Sequence, residues 1–247
     1  MKKRIGKWMK TISLLAAVLL SAGSILREAS AASFPDVPDN AWYAGAVEWA
    51  VGEGVTSGRG GYFKPNDVCT RSEAVTFLYK LAGRPEVTGT APFPDVTEKD
   101  WFNDAVIWAV KNHITTGHGE VNGVPVFKPY ETCNRAMIVT FISSFAKYEK
   151  TFREPTSGGR LFPDVPENVW YTETVRWAVE YEVTHGRGGL FYPQKGCTRA
   201  EIVQFIMNYC NMDVRDEDEG DPTDPAVQDK DKGDVELPEI PLEDIKK

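Results

Sequence analysis

The sequence predicts a mainly α-helical protein built from three helix-loop-helix repeats. A fixed series of aromatic, proline and cysteine motifs occurs three times, and apolar residues at helical spacing lie between the motifs. The copies differ by one five-residue insertion in a glycine-rich segment of the middle copy, around residues 120–125. Such an insertion is typical of a surface loop between two helices.

The first helix of each repeat follows a Phe-Pro-Asp-Val tetrapeptide, which occurs at residues 34–37, 93–96 and 162–165. A tryptophan stands eight residues after each of these phenylalanines, and a Trp-Ala-Val tripeptide begins seven residues later. In the first repeat we expect the helix to begin near Asn40, to include Trp42, and to stop near Gly54.

The second helix follows a glycine-rich loop and a Phe-x-Pro motif. It opens after a Cys-x-Arg motif at residues 69–71, 133–135 and 197–199. In the first repeat it starts at Thr70, its apolar positions recur at intervals of three and four, and Gly83 ends it. Three such units around a common axis would bury a core that one unit cannot form alone.

The repeated cysteines are predicted to pack rather than to react. Thr70 with Glu73, and Thr198 with Glu201, match the capping box of a helix N-terminus. The preceding cysteine then occupies the position of a hydrophobic staple, where a buried thiol acts as a small hydrophobe. These cysteines are Cys69, Cys133 and Cys197. No ligand spacing supports zinc or another metal, and a disulfide between copies stays an alternative.

The arginine of the motif has two open interpretations. It stands at the first helical position, where a cation opposes the helix dipole, so local helix stability does not require it. It forms either a salt bridge to the aspartate of Phe-Pro-Asp-Val or, beside exposed helix N–H groups, a site for a carboxylate or phosphate. The arginines are Arg71, Arg135 and Arg199, and the aspartates are Asp36, Asp95 and Asp164.

Two further repeated residue types fit either a binding site or the fold. The tryptophans that open the first helices could stack on sugar rings, although an isolated tryptophan is more often part of a core. The loop glycines let a backbone approach a ligand closely, and they equally form turns. They are Gly58, Gly117 and Gly186, with Gly60, Gly119 and Gly188 two residues later.

The ordered series of motifs, from Phe-Pro-Asp-Val to Thr-Arg-Ala-Glu, resembles the S-layer homology (SLH) domain over about residues 34–212. The resemblance implies a pseudo-threefold (pseudo-trimeric) helical bundle with grooves between adjacent repeats. It implies a non-covalent anchor, without catalysis or cofactor, that binds an anionic secondary cell wall polysaccharide bearing a pyruvate ketal. It also implies that four motif residues of each repeat line the grooves. They are Asp36, Trp42, Gly58 and Arg71 in the first repeat, Asp95, Trp101, Gly117 and Arg135 in the second, and Asp164, Trp170, Gly186 and Arg199 in the third.

The middle repeat departs from the pattern. It reads Asn-Arg-Ala-Met at residues 134–137 and so loses the glutamate of the capping box. His118 stands where the other repeats have Arg59 and Arg187. We therefore expect the groove that uses the middle loop to depart most from the family pattern.

The two ends of the chain differ from the repeats. Basic residues, a short apolar run and Ala29-Ser30-Ala31 predict a signal peptide over residues 1–31, no transmembrane segment after its cleavage, and a location at the wall or cell surface. Residues 213–247 hold 14 Asp or Glu against five Lys or Arg, which predicts an acidic disordered tail. The repeats are then expected at residues 32–89, 90–158 and 159–212.

Three classes of function remain, and a carbohydrate-binding wall anchor that is a monomer is favoured. A secreted wall-active glycoside hydrolase is disfavoured because each candidate carboxylate recurs three times, whereas a catalytic pair is normally unique. A structural subunit of an S-layer lattice is the third class. Nucleic-acid binding is not expected, since the net charge is −8 and no basic stripe is present. Replacing Arg71 and Arg199 by alanine is expected to weaken wall binding and to leave thermal stability almost unchanged.

Overall fold

The computed structural model describes residues 34–212, except residues 157 and 160. These residues are mainly helical, with six α-helices and one small two-stranded sheet. The helices are α1 (Ala44–Gly52), α2 (Arg71–Leu81), α3 (Asn103–Lys111), α4 (Arg135–Tyr148), α5 (Thr172–Glu180) and α6 (Arg199–Cys210). The predicted signal peptide and acidic tail lie outside the described residues. Within the described part, none of the helices has the length and apolar character that crossing a membrane requires.

The helices occur in pairs, two in each predicted repeat. We call residues 34–89, 90–158 and 159–212 the first, middle and last segments. The loop of the middle segment contains β1 (Glu120–Val121) and β2 (Val124–Pro125), which pair antiparallel. Asn122 and Gly123 between them both have positive φ, as a tight Asn-Gly hairpin turn requires. The predicted insertion is therefore a hairpin in the connection between α3 and α4.

The first helix of each segment begins later than predicted. Helix α1 begins at Ala44 rather than near Asn40, and residues 39–43 form turns. No side chain caps its N-terminus at Tyr43, and Glu53 follows its last residue. Trp42 thus precedes the helix instead of standing on its apolar face, and its side chain is 65% exposed. The predicted stop at Gly54 is close to the observed end, and Gly54 has the positive φ expected beyond a helix C-terminus.

The second helices begin as predicted. Both capping boxes are present: the hydroxyl of Thr70 accepts from the N–H of Glu73, whose carboxylate accepts from the N–H of Thr70, and Thr198 and Glu201 repeat the pattern. In the middle segment only half of the cap is formed, through Asn134 and the N–H of Met137. The N-termini of α2 and α6 are therefore held by two reciprocal bonds, and that of α4 by one.

Each second helix packs against the first helix of the following segment. Helix α2 contacts α3, α4 contacts α5, and α6 contacts α1. The last of these contacts joins the end of the described chain to its beginning. The helices enclose one continuous core, in which Trp108 and Trp177 are among the largest fully buried side chains.

The three motif cysteines meet at the centre of this arrangement. The N–H of Cys69 donates to the carbonyl of Cys197 (2.9 Å), that of Cys133 to Cys69 (2.8 Å), and that of Cys197 to Cys133 (2.9 Å). All three side chains are fully buried in the core and carry free thiols, so no disulfide joins the copies. Burial raises the pKa of Cys133 to about 12, so this thiol is neutral at physiological pH. The predicted packing role is confirmed.

Candidate functional site

The motif arginines are buried between segments. Arg71, Arg135 and Arg199 are 2–4% exposed. Each donates from Nε to a main-chain carbonyl of the following segment, in which the last segment is followed by the first. The acceptors are Phe127, Phe191 and Phe63, at 2.8, 2.7 and 2.8 Å respectively. Each guanidinium also lies over the ring of the same phenylalanine, 4.9–5.1 Å from its centroid. The arginine therefore joins two segments, a role that the residues next to it in the sequence do not reveal.

The ion-pair partners of the arginines differ from the predicted aspartates. Arg199 donates from Nη1 to Oε1 of Glu73 at 2.6 Å. Arg135 donates in the same way to Glu201 at 2.8 Å. The interpretation of salt bridges to Asp36, Asp95 and Asp164, one of the two left open, was therefore wrong. In place of those aspartates Arg199 and Arg135 contact the capping glutamate of the following segment, and Arg71 contacts carbonyl and hydroxyl oxygens. Sequence reasoning assigned those glutamates to the helix cap alone.

The motif aspartates hold the loop of their own segment. Asp36 accepts from the N–H of Phe63 (2.9 Å) and from that of Lys64 (2.7 Å), which has a left-handed φ of 63°. Asp95 and Asp164 form the equivalent bonds at Phe127–Lys128 and Phe191–Tyr192. Burial disfavours the charged carboxylate of Asp36, but the backbone N–H groups of Phe63, Lys64 and Asp36 itself, together with the cation of Lys64, outweigh it, so the pKa of Asp36 lies below its ordinary value.

One phenylalanine in each segment is thus held through both of its backbone polar groups. The N–H of Phe63 donates to Asp36 of its own segment, and its carbonyl accepts from Arg199 of the last segment. The same relation holds for the equivalent phenylalanines of the middle and last segments. Aspartate and arginine therefore act together on the fold without contacting each other.

The loop glycines are required by packing against phenylalanine. Gly58 has a φ of 74°, and a Cβ there would lie 2.4 Å from Cε1 of Phe34 and 2.6 Å from the carbonyl oxygen of Tyr62. Gly117 and Gly186 meet the equivalent phenylalanine and carbonyl at 2.4–2.8 Å. Close approach within the protein, which neither open interpretation included, therefore requires glycine at these positions. Gly60 has open space around it and needs only its positive φ.

The tryptophans that precede the first helices are exposed. Trp42, Trp101 and Trp170 are 65, 62 and 61% exposed, although they are large apolar side chains. Each ring stands edge-on to the aromatic residue that follows it, with interplanar angles of 85–86°. They do not form the core, and their accessible faces suit the stacking of a sugar ring.

A cavity of about 400 Å³ brings predicted residues from all three segments together. We call it the first groove. From the predicted site it contains Gly58 of the first segment, Trp101 of the middle segment and Arg199 of the last. Asp36, Trp42 and Arg71 do not line it. Its remaining lining residues are Thr56, Arg59, Thr70, Ser72, Glu73, Thr76, Phe77, Lys80 and Tyr130.

Sequence reasoning missed several of these lining residues, although a signal for some was present. Glu73, Thr76, Phe77 and Lys80 follow the spacing i, i+3, i+4, i+7, which places them on one face of α2. Phe77 recurs in all three copies and Glu73 in two, and both were assigned to the core or the cap, whereas a search for repeated motifs passes over Lys80 because all three copies differ there. No sequence pattern marked Tyr130, which is 68% exposed, as part of a binding site.

The junction at the middle loop has a different composition. Met137 stands where the other caps have glutamate, so Arg71 donates from Nη2 to the carbonyl of Gly117 (3.1 Å) and the hydroxyl of Thr115 (3.4 Å). His118 approaches Glu131, with Nε2 and Oε1 separated by 3.3 Å. Burial and the cation of Arg71 lower the pKa of His118, and Glu131 opposes them. The contacts at this junction therefore differ from those at the other two, as the sequence of the middle segment predicted.

Comparison with known protein families matches parts of two of the three segments. Residues 33–75 and 161–203 match the S-layer homology domain. These matches do not include the middle segment.

Several similar proteins are named as S-layer or cell surface proteins. The chain is 26% identical over 206 residues to S-layer protein sap of Bacillus anthracis, a match that covers 82% of this chain and 24% of that protein. It is 32% identical over 164 residues to Cell surface glycoprotein 1 of Acetivibrio thermocellus, covering 62% and 7%. It is also 31% identical over 134 residues to Exoglucanase XynX of Acetivibrio thermocellus, covering 51% and 12%. The chain spans about a quarter or less of these relatives, and the matches support the predicted location at the cell surface.

Proposed function

We propose that this chain is a non-covalent anchor that binds an anionic secondary cell wall polysaccharide through grooves between its segments. The observation that carries this proposal is the first groove. Three cationic side chains, Arg59, Lys80 and Arg199, line it together with the exposed aromatic rings of Trp101 and Tyr130. Cations and open aromatic faces in one cavity suit a saccharide that bears an acid group.

We propose further that the three segments are equivalent repeats in a pseudo-threefold bundle. Three observations support this. The cysteine backbones form a closed ring of hydrogen bonds, the arginine-to-phenylalanine contact occurs at all three junctions, and α6 packs on α1 as α2 packs on α3. Three grooves would follow from this symmetry, each formed between neighbouring repeats.

The proposed ligand is a polysaccharide that carries a pyruvate ketal. The ketal contributes a carboxylate to an otherwise neutral sugar, which matches the cations of the first groove. The tryptophans at residues 42, 101 and 170 would stack on sugar rings, whereas the motif arginines, aspartates and glycines would shape the grooves through the contacts already described. Binding is the whole of this function, with no catalytic step, and the protein acts as a monomer.

The proposal is tested by sedimentation with purified wall sacculi. The chain is expected to sediment with intact sacculi, to stay in solution when the secondary polysaccharide has been extracted, and to bind more weakly when the pyruvate has been removed from the polymer. Sedimentation that survives extraction of the polysaccharide would contradict the proposal.

Two other outcomes would favour the remaining classes of function. Release of reducing sugar from the wall polymer would identify a glycoside hydrolase. Ordered sheets that form at high protein concentration without any wall polymer, seen by electron microscopy, would identify a subunit of a surface lattice.

A further inference from the structure

The cations of the first groove differ in how far their charge is already neutralised. Arg199 donates to the carbonyl of Phe63 and to the carboxylate of Glu73, and it is almost fully buried. Arg59 also pairs with Glu73, at 3.0 Å, and approaches Asp67 at 3.8 Å. These two arginines share the carboxylate of Glu73 and hold the groove together.

Lys80 has no such partner. Among the residues that the structure describes, no carboxylate lies within ion-pair distance of its ammonium group. It lies two helical turns beyond Glu73 on the same face of α2, or about 10 Å along the helix axis. Its charged neighbours are instead cations, since Arg84 and Arg199 both act on it electrostatically. A half-buried ammonium group that faces a cavity in positive surroundings is a site for an anion.

Another part of the lining is aromatic. Trp101 and Tyr130 of the middle segment contribute to it and are more than 60% exposed. A saccharide in this groove would meet aromatic faces from the middle segment and the ammonium group of Lys80 from the first.

The equivalent positions of the other two segments are uncharged. Ser144 and Asn208 stand 64 and 128 residues after Lys80, at the matching positions of α4 and α6. Asn208 is already bonded, to the carbonyl of Val183 and to Gln204. An unpaired ammonium group is thus a property of the first groove and not of the repeat.

We infer that Lys80 is the residue of the first groove that binds the acid group of the ligand and makes this groove selective for anionic saccharides. This inference rests on the proposed function and deepens it, because it separates recognition of the anion from the motif arginine. Arg199 then positions the loop and Glu73, and Lys80 forms the charged contact with the ligand.

The inference has a consequence for pH dependence. Burial, and then the cations of Arg84 and Arg199, lower the pKa of Lys80. The other charged groups that line the groove are Arg59 and the carboxylate of Glu73. Because the ligand binds the protonated amine, affinity is expected to fall as the pH rises through this lowered pKa, at a lower pH than for an ordinary lysine.

The test uses the full chain and two small probes. The first is a methyl hexosaminide with a 4,6-linked pyruvate ketal, and the second is the same sugar with a neutral isopropylidene ketal. Binding is measured by isothermal titration calorimetry for the wild type, Lys80→Met, Lys80→Arg and the matched control Ser144→Met. Thermal melting of each variant checks the fold, and sedimentation with wall sacculi is measured in parallel.

The wild type is expected to bind the pyruvate ketal in preference to the neutral one. Lys80→Met should lose one binding site or weaken it roughly tenfold to hundredfold, the usual contribution of a charged hydrogen bond. Lys80→Arg should retain most of the affinity, and Ser144→Met should behave as the wild type. Unchanged binding by Lys80→Met, or equal affinity of the wild type for both ketals, would overturn the inference while wall binding stands. Failure of the wild type to bind either wall sacculi or ketal would overturn the inference and the proposed function together.

Discussion

The junction at Arg199 and the junction at Arg71 place the same arginine in two different environments. Arg199 meets the buried carboxylate of Glu73 at 2.6 Å, whereas Arg71 meets only carbonyl and hydroxyl oxygens. Both keep the bond from Nε to the carbonyl of a phenylalanine. The shared contact is therefore the one that joins segments, and the carboxylate is an addition that neutralises the charge where it is present.

The largest expected effect is the loss of stability when a junction arginine is removed. Arg199→Ala would leave the buried carboxylate of Glu73 with Arg59 alone as its cation and the carbonyl of Phe63 without its donor, which should lower the free energy of unfolding by about 2–4 kcal/mol. Arg71→Ala removes no ion pair with a carboxylate and should cost less, about 1–3 kcal/mol. Urea denaturation measures both.

This expectation replaces the earlier one that the arginines could be removed without loss of stability. Burial is the reason, because both side chains are 2% exposed. Equal and negligible losses in the two variants would show that neither junction depends on its arginine. The double variant Arg199→Ala with Glu73→Gln should recover part of the loss, because it removes a buried carboxylate that has lost one of its two cations.

The next effect concerns the close approach of loop and phenylalanine. Gly58→Ala places a Cβ 2.4 Å from Phe34 at a left-handed φ, so the loop must shift and the free energy of unfolding should fall by roughly 2–4 kcal/mol. Gly60→Ala is the matched control, because it has positive φ with open space and should cost only about 1 kcal/mol. Similar melting temperatures for the two variants would contradict the packing explanation.

A smaller effect should follow from making the two junctions alike. Met137→Glu supplies the middle segment with the missing carboxylate, which should pair with Arg71 and complete the cap at Asn134. We expect a gain in the free energy of unfolding of about 1 kcal/mol. Chemical denaturation measures the gain, and a further Arg71→Lys change should abolish most of it. A loss of stability in Met137→Glu would show that the middle junction is shaped for an uncharged neighbour.

The smallest effect is a difference in pH dependence. The pKa of His118 is lowered in the folded chain, by burial and by Arg71, so the unfolded chain takes up its proton first. The contribution of His118 to stability is present above the unfolded pKa of about 6.5 and is lost as the pH falls through the lowered folded value. Melting curves between neutral and mildly acidic pH should therefore fall less steeply in His118→Gln than in the wild type. Identical slopes would show that the surroundings of His118 do not affect its titration.

Local patterns predicted the helices, the capping boxes and the loop insertion because each depends on residues close in the sequence. Thr70 and Glu73 are three residues apart, and the hairpin at 120–125 requires only its own turn residues. The start of α1 was misplaced because Trp42 continues the helical spacing but lies in a turn, exposed rather than packed.

The roles of the arginines could not be predicted in the same way. Arg199 and Phe63 are 136 residues apart, and only the folded chain brings the last segment against the first. Glu73 was assigned to its cap correctly, but its second contact with Arg199 depends on the same long-range closure. Lys80 was missed for a different reason. A search for repeated motifs does not find a residue that only one of the three segments has at that position.

The ring of cysteine backbones sets this protein apart from a linear array of repeats. A solenoid can lose its terminal unit and keep the others, because each unit contacts only its neighbours. Here the N–H of Cys69 in the first segment donates to the carbonyl of Cys197 in the last. Truncation of either segment would therefore leave backbone groups at the centre without their hydrogen-bond partners. The first segment therefore cannot complete its own interior until the last has been synthesised, and folding must wait for nearly the whole of the described chain.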